Sequence, residues 1–317
     1  MSKVIEIIIY VHGVSNDIHG RKHEVEYQTL HHGIATRLNN WPSRYIGIEW
    51  GWNFKNVAIP SSHELLTDAQ RLLGARVIQA LDAAPRDMTI NPGRLLLGQL
   101  RKLVIYGMAD MFYYISKDGE KAVRNTVASQ IMEQIHPFLA EKGLNISLTL
   151  IGHSGGGVVA LDFLFYLFYT SVHEYLFDAH TKKEKELKTE ISHLRSLAQN
   201  NKLRLRRLIS LGCPVTALAF RDDAVLEILA SGDKLNPSHY GFDRNPTIFG
   251  PRLKGPRWVN FWDKDDPIAW PVEPLMNQGA TEDIIKDVYI DISDSITTSH
   301  DAYWASSKVH EAIANTW

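Results

Sequence analysis

The chain has 317 residues, of which 44% are hydrophobic, so it can bury a sizeable core in one or two domains and is not a disordered chain. Its formal net charge of -2 gives no overall basic field that would favour nucleic acid or an anionic membrane as a partner. A single cysteine, Cys213, excludes an intrachain disulfide framework and fits a reducing compartment.

The first predicted element is a β-branched run, Val4–Val11, which ends at His12-Gly13-Val14. It predicts a strand and not a signal peptide, because it contains Glu6 and no small-residue cleavage site follows it. No apolar run in the chain reaches membrane-spanning length. We therefore expect a cytoplasmic protein without a transmembrane segment.

A helix is predicted over Glu24–Leu38 from its apolar spacing, and a second strand over Tyr45–Trp50. Three histidines, His23, His31 and His32, lie along the helix. No second group of ligands lies near them in the sequence, so we expect packed or solvated histidines and not a metal site.

Residues 52–115 contain more helical sequence than a plain crossover between two strands needs. The stretch 103–114 is rich in aromatic residues and methionine. We expect part of 52–115 to form a cap or the wall of an acyl-binding site, and ordinary core helices packed on the sheet are the alternative. Lys121–Leu139 then has the apolar spacing of an amphipathic helix.

The chemistry is predicted to centre on Asn145–Ala160. Alternating apolar residues over 144–150 predict a strand, and an apolar block over 160–169 predicts a buried helix. Between them, Gly152-His153-Ser154-Gly155-Gly156 has the G-x-S-x-G pattern of a nucleophile elbow. Its glycines permit a sharp turn that exposes the Ser hydroxyl and aims the N–H of Gly155 at a forming oxyanion. The alternative is a glycine-rich turn with an unreactive Ser.

The middle of the chain carries two predicted insertions. Residues 178–202 are strongly charged but keep leucine and isoleucine at helical spacing, which predicts a helix with a solvated face. Lys202–Arg207 is interpreted as the exposed approach to a strand over Leu208–Leu211, after which Cys213 is expected to be unreactive. Residues 217–257 are rich in Pro, Gly and Asn, and so long a loop indicates a lid or a binding loop.

Acidic residues and a histidine follow the last two predicted strands. Trp258–Trp262 leads into Asp263-Lys264-Asp265-Asp266-Pro267. Asp287–Ile292 is the last predicted strand, and Ser299-His300 opens the predicted C-terminal helix. His153 is a poor candidate for the base, because its ring cannot swing back onto the hydroxyl of its own neighbour.

This set of residues resembles the lipase-like branch of the α/β-hydrolase superfamily. The matching segments are His12-Gly13-Val14, Gly152-His153-Ser154-Gly155-Gly156, Leu211-Gly212-Cys213-Pro214-Val215, Asp266-Pro267-Ile268 and Ser299-His300. The resemblance covers most of the chain, with 178–202 and 217–257 as insertions. It implies one α/β domain over 1–317, with a mostly parallel sheet flanked by helices. The chain starts directly on the strand that leads to the oxyanion turn, so the first edge strands of the fold are expected to be missing.

The resemblance implies a catalytic triad in the chain order of this superfamily, with Ser154 as nucleophile, Asp266 as acid and His300 as base. An acid followed by Pro-Ile is the usual local form in esterases and lipases of this fold, which favours Asp266. Asp263 is the alternative acid, because it lies closer to the end of its strand. The backbone N–H groups of Val14 and Gly155 would form the oxyanion hole.

The expected activity is hydrolysis of a carboxylic ester through an acyl-enzyme, without a metal or an organic cofactor. The expected substrate is a small-molecule ester, and the composition of 103–114 favours an apolar acyl group. The absence of a secretion signal argues against an extracellular fat-digesting role. The same triad could serve a thioesterase, an amidase or an acyltransferase. A catalytically silent member used for binding or as a scaffold is the alternative from a different class.

Overall fold

The computed structural model describes residues 3–13, 22–50, 114, 117–139, 143–169, 182–215, 236–242, 249, 255–275, 284–295 and 298–317. Of the predicted cap region 52–115, only Tyr114 lies within these ranges. The described ranges include three parts of the predicted loop insertion 217–257, namely residues 236–242, 249 and 255–257. The remaining parts of both regions lie outside the described residues, so the cap and the lid stay predictions.

The described strands form one six-stranded sheet in the spatial order β2-β1-β3-β4-β5-β6, and each neighbouring pair is parallel. Its strands are β1 (Val4–Val11), β2 (Tyr45–Ile48), β3 (Asn145–His153), β4 (Leu203–Leu211), β5 (Trp258–Trp262) and β6 (Ile285–Tyr289). All nine residues of β3 are buried. A central parallel strand covered on both faces has no solvent side, and β3 is such a strand.

Helices cover both faces of this sheet, which makes the protein an α/β fold as predicted. The described helices are α1 (Lys22–Ala35), α2 (Lys117–Leu139), α3 (Gly155–Phe168), α4 (Lys182–Gln199) and α5 (Ser307–Thr316). Ile7 and Ile9 of β1 belong to the core that α2, α3 and α4 share. Ile8 and Tyr10 belong to the opposite core, under α1 and α5. Alternate residues of one strand therefore anchor two helical layers.

The interpretation of Lys202–Arg207 as an exposed approach is wrong, because β4 already begins at Leu203. Arg204 and Arg207 are buried. The guanidinium of Arg204 lies 4.6 Å from the ring centre of Phe249, and its Nε donates to Ser147 Oγ over 3.3 Å. Aromatic stacking and hydrogen bonds let these arginines occupy a strand that is covered on both faces.

Two predicted boundaries near the C-terminus also differ from the structure. The last strand is Ile285–Tyr289 and not Asp287–Ile292. His300 does not open a helix: it lies in a turn, followed by a 3₁₀ segment over Ala302–Trp304 and then by α5. The turn at His300 is fixed by tertiary contacts that sequence spacing does not reveal.

The helix predicted within 178–202 is present as α4, with Ile191 and Leu194 buried against the sheet core. Among the helices of the described residues, none has the length and apolarity needed to cross a membrane.

Candidate active site

Ser154 sits between β3 and α3 with a backbone conformation that side chains rarely adopt. Its φ is 53° and its ψ is -131°. The residue is 3% exposed, and its N–H donates to the carbonyl of Leu211 at the end of β4 over 3.0 Å. A strained, non-glycine residue at a strand-to-helix turn needs its surroundings to hold it in place. This is the geometry expected of the elbow.

Close backbone approach explains the glycines on either side of Ser154. A Cβ on Gly152 would lie 2.5 Å from the Cα of Gly157, in the first turn of α3. A Cβ on Gly156 would lie 2.2 Å from the carbonyl oxygen of Val11 on β1. Any side chain at either position would push α3 away from the sheet, so the turn requires glycine at both.

The turn after β1 lies directly against Ser154. A Cβ on Gly13 would be 2.6 Å from Ser154 Cβ and 3.1 Å from its Oγ. Gly155 is the first residue of α3, where helical N–H groups lack partners within the helix. Val14, the other predicted oxyanion donor, lies outside the described residues. The structure thus places Gly13, the last described residue of the turn after β1, against the Ser side chain at the start of α3.

His300 and Asp266 form a buried pair. The Nδ1 of His300 donates to Asp266 Oδ2 over 2.9 Å, and the two side chains are 5% and 0% exposed. The other oxygen, Oδ1, accepts from the N–H of Ile268 over 2.9 Å. Burial by itself raises the pKa of Asp266, but the hydrogen bond and charge of His300, aided by the Ile268 N–H, lower that pKa below its ordinary value. Because Nδ1 donates to the carboxylate, Nε2 is the ring nitrogen left for exchange of a proton with another group.

Asp263, the alternative acid, has other partners. Its Oδ2 accepts from the backbone N–H groups of Ile292 and Ser293, over 2.8 Å and 3.3 Å, and its Oδ1 accepts from that of Asp265 over 3.0 Å. Its own N–H donates to the hydroxyl of Tyr303. Asp263 therefore ties the loop after β5 to the loop after β6, while Asp266 is the carboxylate that meets the histidine.

Ser154 and His300 do not form a hydrogen bond, although both belong to the described part of the chain. Contact between their loops runs through His153, which precedes the Ser. The Nε2 of His153 lies 2.6 Å from the carbonyl oxygen of His300, and the centres of the two rings are 4.8 Å apart. The absence of a Ser–His hydrogen bond does not by itself count against a catalytic pair, because such bonds are often long or poorly aligned before substrate binds.

A cluster of metal-ligand residue types lies beside the oxyanion turn. The nearest ligand atoms of His12, His23 and Glu49 lie within 4.8 Å of one another, with His12 Nε2 and Glu49 Oε2 separated by 3.5 Å. Sequence spacing missed this grouping, because the three residues come from three different elements. The prediction of packed or solvated histidines along α1 did not include His12. In the structure His23 of α1 is buried and stacks on His12.

Two features of the cluster do not suit a divalent cation. The N–H of Trp50 already donates to His12 Nε2 over 3.0 Å, so that lone pair has a partner. The rings of His12 and His23 are parallel within 2° and 3.7 Å apart, and the in-plane lone pairs of parallel rings do not converge on one point. Burial, followed by the charge of His23, lowers the pKa of His12 well below its ordinary value. We interpret the cluster as a stacked histidine pair that supports the turn.

Cys213 is buried and lies against the elbow. Its Sγ donates to the carbonyls of Gly152 and Leu211 over 3.3 Å and 3.4 Å. Burial raises the pKa of this thiol, and a thiol without a thiolate form is a poor nucleophile.

Comparison with protein-family models gives no match, and a search of curated proteins finds no significant match either. The described residues of the site supply a hydroxyl on a strained turn, a buried His–Asp pair and a glycine that lies against the Ser side chain.

Proposed function

We propose that the protein is a serine hydrolase that cleaves a carboxylic ester through an acyl-enzyme. The observation that carries the proposal is the buried hydrogen bond from His300 to Asp266, at a site that also holds the strained Ser154. A carboxylate that fixes one histidine tautomer leaves the other ring nitrogen free to accept a proton, as the base of a Ser-His-Asp triad must.

The topology of the sheet also supports this proposal. Gly13, Ser154, Asp266 and His300 come from segments that follow β1, β3, β5 and β6. Because all six strands are parallel, these segments lie beyond the same edge of the sheet. A parallel six-stranded sheet flanked by helices is compatible with the α/β-hydrolase fold that the sequence resembles.

The chemistry follows in two half-reactions. His300 Nε2 takes the proton of Ser154 Oγ as that oxygen bonds to the ester carbonyl carbon, and the N–H of Gly155, with that of Val14, binds the oxyanion. The tetrahedral intermediate collapses, the bond to the alkoxy oxygen breaks, and His300 gives the proton to the leaving alcohol. Water then attacks the acyl-enzyme with His300 again as base, which releases the acid and restores Ser154.

A fluorophosphonate probe tests the proposal, because it forms a covalent bond only with an activated Ser. The pure protein should be labelled stoichiometrically, and the site should map to Ser154. Ser154→Ala should abolish labelling, whereas a matched Ser147→Ala variant, altered within β3 and away from the turn, should keep it. Wild-type protein that folds but takes no label would refute the hydrolase and favour the binding or scaffold alternative.

A further inference from the structure

We infer that His153, the residue before the Ser, is a positioning residue that holds the backbone of His300 at a fixed place relative to Ser154. This inference rests on the proposed function and deepens it, since it assigns a role to a residue outside the triad. Its basis is the hydrogen bond from His153 to the His300 carbonyl, in a site where Ser154 and His300 make no direct bond of their own.

His153 is placed to make this connection by the sheet. It is the last residue of β3 and pairs with Leu211 of the adjacent strand β4, so its backbone is fixed on that side. Its side chain is buried, at 5% exposure, and its ring centre lies 5.7 Å from that of Tyr303 and 5.5 Å from that of Trp304. A ring packed against two large side chains has little freedom to rotate.

The direction of the hydrogen bond follows from its partner. A backbone carbonyl only accepts, so Nε2 of His153 must carry the hydrogen and donate it over 2.6 Å. Burial, followed by the charge of His300, lowers the pKa of His153 to about 3, so the ring is neutral at neutral pH. A neutral neighbour also suits a base that becomes an imidazolium during the reaction, because a second cation 4.8 Å away would oppose that charge.

Two buried hydrogen bonds therefore hold His300. Asp266 fixes its ring through Nδ1, and His153 fixes its main chain through the carbonyl. Since His153 is covalently joined to Ser154, the second bond sets the separation between the backbone of the nucleophile and that of the base. A misplacement of about 1 Å in such a pair costs about 100-fold in rate.

A pair of variants separates this role from simple packing. His153→Gln keeps an N–H donor close to the position of Nε2, while His153→Met has a similar length and no donor. Ile191→Val, which loses a buried methylene on α4, controls for a loss of stability that is unrelated to the site. For each protein we would measure kcat and KM on a p-nitrophenyl ester, the rate of fluorophosphonate labelling, and Tm.

His153→Met should lower kcat and the labelling rate by about 100-fold while KM stays within a few-fold. His153→Gln should recover most of this loss, and Ile191→Val should lower Tm with kcat unchanged. Equal activity of the Met and Gln variants, or a kcat that follows Tm across all three, would overturn the inference.

Proton NMR supplies a readout that does not need activity. The His300 Nδ1 proton, bound to Asp266, should give a downfield signal that is identified by its loss in Asp266→Asn. The signal should persist in His153→Gln and shift or broaden in His153→Met. If wild-type protein takes no fluorophosphonate, the proposed function fails, yet this signal still decides the positioning role. An unchanged signal in His153→Met would contradict the positioning role, whatever the result of fluorophosphonate labelling.

Discussion

The imidazole of His300 donates through Nδ1 to Oδ2 of Asp266 over 2.9 Å, and neither side chain has appreciable contact with water. Two polar groups buried in this way destabilise a protein unless they satisfy each other. Their chain positions, 34 residues apart, place them on separate loops that meet beyond the ends of β5 and β6. This pair is the most specific functional feature of the described residues.

The two aspartates should differ in what they contribute. Asp266→Asn should lower kcat by roughly three to four orders of magnitude, because an amide no longer fixes the tautomer of His300. Asp263→Asn should change kcat less than about 10-fold and lower the free energy of unfolding by about 1–3 kcal/mol, because it weakens bonds to partly buried backbone N–H groups. Ester hydrolysis and urea unfolding of both variants check this. The reverse assignment of effects would make Asp263 the acid.

Replacing the proposed base should remove nearly all of the activity. His300→Ala should lower acyl transfer by several orders of magnitude, as expected when one member of a cooperating set is lost. A single-turnover measurement on a p-nitrophenyl ester isolates the acylation step. A loss of less than about 10-fold would contradict the proposed role, and His136→Ala, at an exposed histidine of α2, serves as the control.

An added methyl group at Gly13 should disable the site without unfolding the protein. Gly13→Ala would place Cβ 2.6 Å from Ser154 Cβ, so the turn or the Ser must move, and we expect kcat to fall by about 100-fold or more. Gly143→Ala is the matched control. Its Cβ would meet nothing within 4 Å, but its φ of +79° makes alanine cost about 1 kcal/mol. The control should therefore lose stability and keep kcat.

His153 should make stability depend on pH. Its pKa is about 3 in the folded protein and 6.5 in the unfolded chain, so between these values only the unfolded state binds the proton. Stability from this group is complete above pH 6.5 and is lost as the pH falls towards 3, by about 1.4 kcal/mol per pH unit. Unfolding free energies of wild type and His153→Gln over pH 4–7 isolate its share. Parallel curves for the two proteins would contradict the prediction.

Acyl-chain preference is predicted from composition alone. If the aromatic and methionine-rich stretch 103–114 lines the acyl site, p-nitrophenyl esters of medium chain length should be hydrolysed faster than the acetate. Values of kcat/KM across a chain-length series provide the measurement. A preference for acetate would remove this assignment and leave the triad untouched.

Local pattern accounts for much of the fold. β1 and β5 have the predicted bounds, because each is a compact apolar run between turn residues. The elbow was recognisable because its constraint is steric and local, which leaves glycines in the sequence. The start of β4 is not recognisable in this way, because arginines in a sequence usually indicate a surface segment. Arg204 and Arg207 are instead buried beside aromatic rings.

Long-range contacts account for what the sequence analysis missed. The ring of His153 cannot act on its own neighbour, and nothing in the local sequence indicates a bond to a residue 147 positions away. The stacked pair of His12 and His23 depends in the same way on α1 meeting the end of β1. Family resemblance favours Asp266 over Asp263, but the partners of the two carboxylates depend on how the loops after β5 and β6 meet, which the local sequence does not show.

The position of Cys213 gives this protein an internal probe of its own motions. It is the only cysteine in the chain, it is fully buried, and its Sγ bonds to the carbonyl of Gly152 at the base of the elbow. A thiol reagent can reach it only when this region opens, so the modification rate in native buffer reports the free energy of that opening. Slower modification after acylation of Ser154 would show that the covalent intermediate tightens the structure around the nucleophile.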